Sequence, residues 1–544
     1  MRGTDLSSRL ALGSALAVCC LIGASSVAAK PGGEAALPAT SRSVPSTNLI
    51  QPLVPSLGAD PLGAKAPEEN IKQLSAILRG GDKDRRRAAV NKLVAMDTPE
   101  AWEVVIEALD NENAPAADEA QLDLANMGHP KVFDTLWGRA GLGSKSNMVR
   151  LRTAELIGRR EAGVDAGRLA KALSERDPEV RRRLLWSIER LALEGRLLGE
   201  PVEELEQDLA KMIGRDRDGA VRGAALYAWG ALMGEEADAG PYVVELAEDK
   251  DPRARSAAAR NVAWLASEDW SIAVELAADP EWSVRSAAIW GLETAARKGS
   301  RSALELLVER VDVEANLRTQ WLLVGRLQSL SGMGHRINSG AWQNWLANLP
   351  EDWRPGDGGA SELGDDRTQA EFAGLRLLSR QLAFLIDLSG SIWNEKNGKL
   401  PKDVAGEHLD AALDQLTEDT LFNVIPYTNT PHPWEDELVR AKRKQVEDAK
   451  QEFADCRERG AGNVFDAIVL ALEDTRTDNL VILTDGAPSG GTRWNLNLLV
   501  PELLERNRYR SVVYDTLVVG DSSLKRHWDR LAEETGGRCV RIDL

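Results

Sequence analysis

Asp387, Ser389 and Ser391 stand at alternate positions directly after the apolar run 382–386. On a tight loop, one carboxylate and two hydroxyls so spaced face a common point. A second carboxylate, Asp485, follows another apolar run, 480–483, and arrives at that point directly or through water. This is a hard-oxygen donor set, suited to Mg²⁺, with Mn²⁺ or Ca²⁺ as alternatives. No His or Cys lies in it, which excludes a zinc or copper site. Mg²⁺ asks for six oxygens and keeps waters, so a site with few protein ligands leaves a position that a partner's acidic group can take.

Such residues need a frame that brings two strand ends together. Residues 382–386, 422–425, 480–483, 512–519 and 538–542 read as strands, and 404–416, 441–456, a stretch from 463, and 524–534 as helices. Continuous apolar runs suit strands buried on both faces. The alternation predicts an α/β doubly wound, Rossmann-like sheet, whose ligands sit beyond the carboxyl ends of its strands. That is where Asp387 and Asp485 fall.

Before this domain, residues 67–332 repeat. Arg150, Arg181, Arg222, Arg255, Arg285 and Arg318 follow turns such as Asp177-Pro178, Asp251-Pro252 and Asp279-Pro280. They fall 31, 41, 33, 30 and 33 residues apart, the period of an α-solenoid of helix pairs. Asp before Pro predicts an N-cap followed by proline at the first helical position. The repeated arginines are expected to tie one turn to the next, and small residues such as Ala257-Ala258-Ala259 to let helices approach closely. Trp186, Trp229, Trp264, Trp290 and Trp321 are expected to pack in the core.

These units resemble HEAT-like repeats of the short PBS-lyase type, which implies a protein-binding scaffold. Residues 378–544 resemble a von Willebrand factor type A (vWA) domain, on Asp387-Leu388-Ser389-Gly390-Ser391 and Leu483-Thr484-Asp485-Gly486. The resemblance implies a metal-ion-dependent adhesion site (MIDAS), with Asp387, Ser389 and Ser391 as ligands directly or via water and Asp485 mostly via water. The family's Gly-Gly-Thr-Asn-like segment is Gly460-Ala461-Gly462-Asn463 here. Gly462 thus stands at a threonine ligand position, and Asn463 is a candidate substitute through its carbonyl oxygen. The order of export signal, repeats and vWA domain is also similar to a group of large exported bacterial proteins.

Residues 1–29 read as a signal peptide: Arg2 and Arg9, an apolar run, then Val27-Ala28-Ala29 before Lys30. Val18 before Cys19 argues against a lipoprotein. Residues 30–66, rich in Pro, Gly, Ala and Ser, read as a flexible linker, and 333–377 as a helix and flexible joint. No segment predicts a transmembrane span. A net charge of −18 argues against nucleic-acid partners. Cys456 and Cys539 are equally consistent with pairing and with free thiols.

The five histidines lie outside catalytic motifs, and no HExxH or P-loop occurs. The expectation is an extracytoplasmic, periplasmic or secreted, binding protein rather than an enzyme. Its partner is a protein ligand offering an acidic side chain to the bound metal. The rival is a scaffold with a metal-free vWA domain whose solenoid does the binding.

Overall fold

The computed structural model describes residues 67–542 apart from 81, 111–113, 200–201, 235–236, 267–268, 351, 357–369, 396–397 and 520–522. The expected signal peptide and linker lie outside the described residues. None of the described helices is long and apolar enough to cross a membrane.

The regular elements described in the repeat region are helices apart from one short parallel strand pair. Its second helices, Asn147–Gly158, Pro178–Leu193, Gly219–Met233, Pro252–Arg260, Trp282–Arg297 and Leu317–Ser331, pack in succession. Asp177, Asp218 and Asp251 cap three of them by accepting from backbone amides two or three residues on. Asp279 likewise accepts the amide two residues on, from Glu281 at 2.9 Å, but carries a second load. Both its oxygens pair with Arg255, at 2.7 and 3.0 Å, and the next helix begins only at Trp282.

The arginine ladder is built as the spacing suggested. Arg181, Arg222, Arg255 and Arg285 each donate Nη1 to a carbonyl of their own turn at 2.6 to 3.0 Å. Each then reaches a carboxylate of the following repeat: Asp216, Asp249, Asp279 and Glu314. Arg318 breaks the pattern, because it stands two residues after its cap, Asn316, rather than four. The fourth position is Gln320, which donates to the Val311 carbonyl, while Arg318 turns to the C-terminal domain. The long 41-residue step contains a short excursion, where Leu197–Leu198 pairs in parallel with Val164–Asp165.

Close helix approach depends on missing side chains. A Cβ on Gly291 would lie 2.2 Å from the Ala259 carbonyl oxygen. Trp229 and Trp321 are buried, as core packing predicts. Trp186 and Trp290 instead each lie between two guanidinium groups, Arg159 with Arg190 and Arg260 with Arg326. The helix Ser339–Ala347 closes the array through edge-on contacts running from His335 to Trp342, Trp345 and Trp353.

The C-terminal domain has a six-stranded sheet: β1 (Gln381–Asp387), β2 (Leu421–Tyr427), β3 (Val439–Arg440), β4 (Asn479–Thr484), β5 (Val513–Val519) and β6 (Cys539–Ile542). Its spatial order is β3-β2-β1-β4-β5-β6, parallel except for the β3 edge. This is a doubly wound order with its switch point between β1 and β4. Period-two alternation divides β1 between two cores: Leu382, Phe384 and Ile386 face one, Ala383 and Leu385 the other. Helices Pro401–Leu413 and Arg443–Asp455 cover the first face; Val464–Ala471, Leu496–Asn507 and Lys525–Thr535 cover the second. A hairpin, Glu371–Phe372 with Leu375–Arg376, turns through positive φ at Ala373 and Gly374 and adds Phe372 to the first core. Cys456 and Cys539 are free and pack against opposite faces of the sheet.

The solenoid and the sheet domain are in direct contact, while most of the expected flexible joint, 357–369, lies outside the described residues. Helix Leu496–Asn507, absent from the sequence reading, lies against the second helices of the repeats. Arg493, at its N-terminal side, donates to Glu155 and Gln121 of the solenoid and to its own Glu502, each at 2.6 Å. Arg508 makes a bidentate pair with Glu189 at 2.6 Å and stacks over Tyr227. Asn316 donates to Asp478, and Arg318 to the Gly536 carbonyl. Pro501 has no amide hydrogen to give Asn497, four residues back, and the Arg159 guanidinium from the solenoid bonds that carbonyl instead.

Candidate functional site

β1 ends at Asp387 and β4 at Thr484, so the switch point sets Asp387 and Asp485 on neighbouring strand ends. The segment after β1 folds back tightly. Ser389 donates its amide to Asp387 Oδ1 at 2.8 Å, and residues Gly390–Trp393 form one 3₁₀ turn. Trp393 locks that turn by donating Nε1 to the Leu388 carbonyl at 3.0 Å. After β4, Gly486 takes φ +88°, a conformation that favours glycine, and Trp528 donates to its carbonyl. A small cavity at this edge is lined by Asp387, Ile392, Pro401, Leu483, Thr484, Asp485 and Val519.

Asp387 is only 4% exposed, and among the described residues it forms no salt bridge with Lys or Arg. Burial pushes its carboxyl up to about 6, and the charge of Asp485 adds to the rise. The amides of Ser389 and Asp485 hold it back in part. Tyr427, at the end of β2, donates its hydroxyl to the Leu483 carbonyl at 3.0 Å. Burial and then the charge of Asp387 hold that phenol well above its ordinary range, so it stays a donor. Two neighbouring carboxylates without a basic partner for the inner one make a site that a divalent cation would stabilise.

Ser389 is buried beside Asp387 and bridges to Gly460, whose carbonyl accepts from the Gly390 amide at 3.2 Å. The 460–463 segment therefore overhangs the same edge. A Cβ on Gly462 would stand 3.5 Å from Asp387 Oδ2 and 3.6 Å from Ser389 Cβ, at ordinary contact distance. Gly462 thus faces the carboxylate from the position where a threonine would present its hydroxyl. Ser391 lies in the same turn, its side chain outside the described residues.

Asn463 sits beside the site, but its side chain is committed elsewhere. Its Oδ1 accepts from the Asp466 amide as the N-cap of Val464–Ala471. Its Nδ2 donates to the Asn429 carbonyl and to Asp466. Among the described residues no group of three His, Cys, Asp or Glu could hold a metal, so any cation here relies on hydroxyls and water beside its carboxylates.

Sequence reasoning passed over Ser489. Its hydroxyl accepts from the Gly462 amide at 2.9 Å and its own amide donates to the Gly462 carbonyl at 3.1 Å. The only signal was a Ser-Gly-Gly stretch soon after Asp485, which reads as an ordinary loop.

HEAT repeats match this chain over residues 166–263 and 207–293. The inter-alpha-trypsin inhibitor heavy chain H2 of Homo sapiens is 29% identical over 126 residues, 21% of this chain and 13% of that protein. The heavy chain H4 of Bos taurus is 26% identical over 203 residues, 35% of this chain and 21% of that protein. The chain therefore spans 13% and 21% of the length of these two relatives. A von Willebrand factor type A structure from Catenulispora acidiphila aligns with 30% of this chain and 38% of that chain, at 19% identity and a TM-score of 0.26. With an arginine-laddered solenoid that matches HEAT repeats, followed by a doubly wound sheet bearing Asp387-Leu388-Ser389 at its switch point, this chain joins helical repeats to a sheet domain that resembles a von Willebrand factor type A domain.

Proposed function

We propose that the vWA domain binds a protein ligand through a divalent cation, Mg²⁺ or a close analogue. Asp387, Ser389, Ser391 and Asp485 would hold the ion, directly or via water, and an acidic side chain of the ligand would complete its shell. The observation that carries this reading is the Asp387 carboxylate, raised by burial and then by Asp485 and, among the described residues, without a Lys or Arg partner. A bound cation supplies the missing positive charge and a position for an anionic ligand. The residues here would position that ion and keep bulk water from the inner carboxylate.

On this reading the protein is an exported binding module rather than an enzyme. The proposed export rests on the apolar N-terminal run and the small residues before Lys30. The solenoid acts as a scaffold, with Arg152, Glu155, Arg182 and Glu189 of its second helices bonded to the vWA domain.

The test is an array of peptides bearing single internal Asp or Glu residues, beside their amide counterparts, probed with the full chain. Binding that needs Mg²⁺, is lost in EDTA and on Asp387→Ala, and prefers acids supports the proposal. Binding indifferent to EDTA and to that substitution would transfer the function to the solenoid.

A further inference from the structure

We propose that Asp118, in the solenoid helix Ala114–Asn126, is a positioning residue for the cation site of the vWA domain, an inference resting on the cation reading above. It acts through the segment 486–495, which starts beside Asp485 and ends at Asn495, the cap of Leu496–Asn507.

At its site end this segment is fastened to Gly462 by the two Ser489 hydrogen bonds. It has no slack there. A Cβ on Gly490 would stand 2.8 Å from that of Ala461, and one on Gly491 would stand 1.8 Å from Asn463 Oδ1. In the middle, the Thr492 amide donates to Asp466, which also holds Asn463.

At its far end the segment is held by the solenoid. Arg152 donates Nη2 to the Thr492 carbonyl at 2.9 Å and Nη1 to Asp118 Oδ1 at 2.7 Å. Asp118 Oδ2 accepts the amides of both Trp494 and Asn495, at 2.9 and 3.0 Å. Arg493 donates to Gln121 and Glu155. Asp118 is fully buried, so its carboxylate has no water to fall back on.

Removing Asp118 frees two backbone amides and leaves Arg152 and Arg493 short of a partner. A segment so tightly seated on residues 461–463 cannot shift at one end without disturbing the other. Gly462 faces Asp387 and Ser389, so the disturbance reaches the cation's ligands. Metal affinity in the C-terminal domain therefore depends on a carboxylate in the repeats, a coupling between distant positions.

The experiment is a Mn²⁺ titration of the full chain, read from the electron paramagnetic resonance signal of free Mn²⁺. Asp118→Asn is expected to weaken Mn²⁺ binding on the order of tenfold. Glu189→Gln, which loosens the same interface at Arg508 and away from the segment, is expected to leave it unchanged. If Asp118→Asn unfolds early, Gln121→Ala, which removes one partner each from Arg493 and Arg152, replaces it with the same expectation. Equal affinity in wild type and the Asp118 or Gln121 variant overturns the coupling alone. An equal loss in Glu189→Gln reduces it to general destabilisation and also overturns it. No Mn²⁺ binding by wild type overturns the cation reading itself, and this inference with it.

Discussion

Arg493 and Glu155 are 338 residues apart in the chain, yet Nη2 of one lies 2.6 Å from Oε2 of the other, with both side chains nearly inaccessible. The pair belongs to a buried network that also contains Asp118, Arg152, Arg183 and Glu502. Removing one partner from such a network leaves uncompensated charge, which typically costs about 3–5 kcal/mol. Arg493→Met should therefore lower the urea midpoint of the full chain markedly, and an unchanged midpoint would show that the network is solvated.

Acid should weaken the same interface. Burial would raise the Glu155 carboxyl, but Arg493, Arg159 and Arg183 more than reverse this and take it down to about 2. A carboxyl depressed in the folded state contributes stability above its unfolded value of 4.5 and loses it as pH falls toward 2. Calorimetric unfolding should show a midpoint falling below pH 4.5, with a shallower fall in Glu155→Gln.

Asp387 should behave in the opposite sense. Its raised carboxyl favours the folded state at low pH, and that contribution is lost as pH rises from 3.8 through about 6. At neutral pH without metal the ionised group costs about 3 kcal/mol. Asp387→Asn keeps an oxygen for the Ser389 amide and removes the charge. In EDTA the variant should melt higher than wild type, and saturating Mg²⁺ should reverse the order. A lower melting point in EDTA would mean that the carboxylate has a compensating partner.

Gly462→Thr should tighten Mg²⁺ binding. The added Cβ meets Asp387 and Ser389 at 3.5 and 3.6 Å, ordinary contact distances, and the hydroxyl it carries is expected to reach the ion. One extra ligand is expected to gain on the order of tenfold in Kd. Equal affinity in a titration of both proteins would show that the hydroxyl does not reach the cation.

Gly291→Ala tests the packing of the repeats. A methyl 2.2 Å from the Ala259 carbonyl cannot be accommodated without moving a helix. Overpacking of this kind costs about 1–3 kcal/mol. A thermal melt unchanged from wild type would show that the crossing is looser than the structure has it.

The sheet was legible because β1, β2, β4 and β5 are apolar runs set between helical stretches, and because Asp387 and Asp485 directly follow two of them. The arginine ladder was legible from its period. Helix Leu496–Asn507 was not. Pro501 interrupts its pattern, and Arg493, Glu502 and Glu505 look like solvated surface charges until their partners in the repeats are known. Asn463 was legible as a neighbour of the site but not as a cap, because its role depends on where the next helix begins. Arg318 looked like a ladder residue because its distance from Arg285 fits the period; its position relative to its own cap decides otherwise.

The most direct measurement is a calorimetric Mg²⁺ titration of the full chain at neutral pH, beside Asp387→Ala. Wild type should bind a single ion and the variant none. Binding of equal strength in the two proteins, or no binding in either, would contradict a cation site at the β1–β4 switch point.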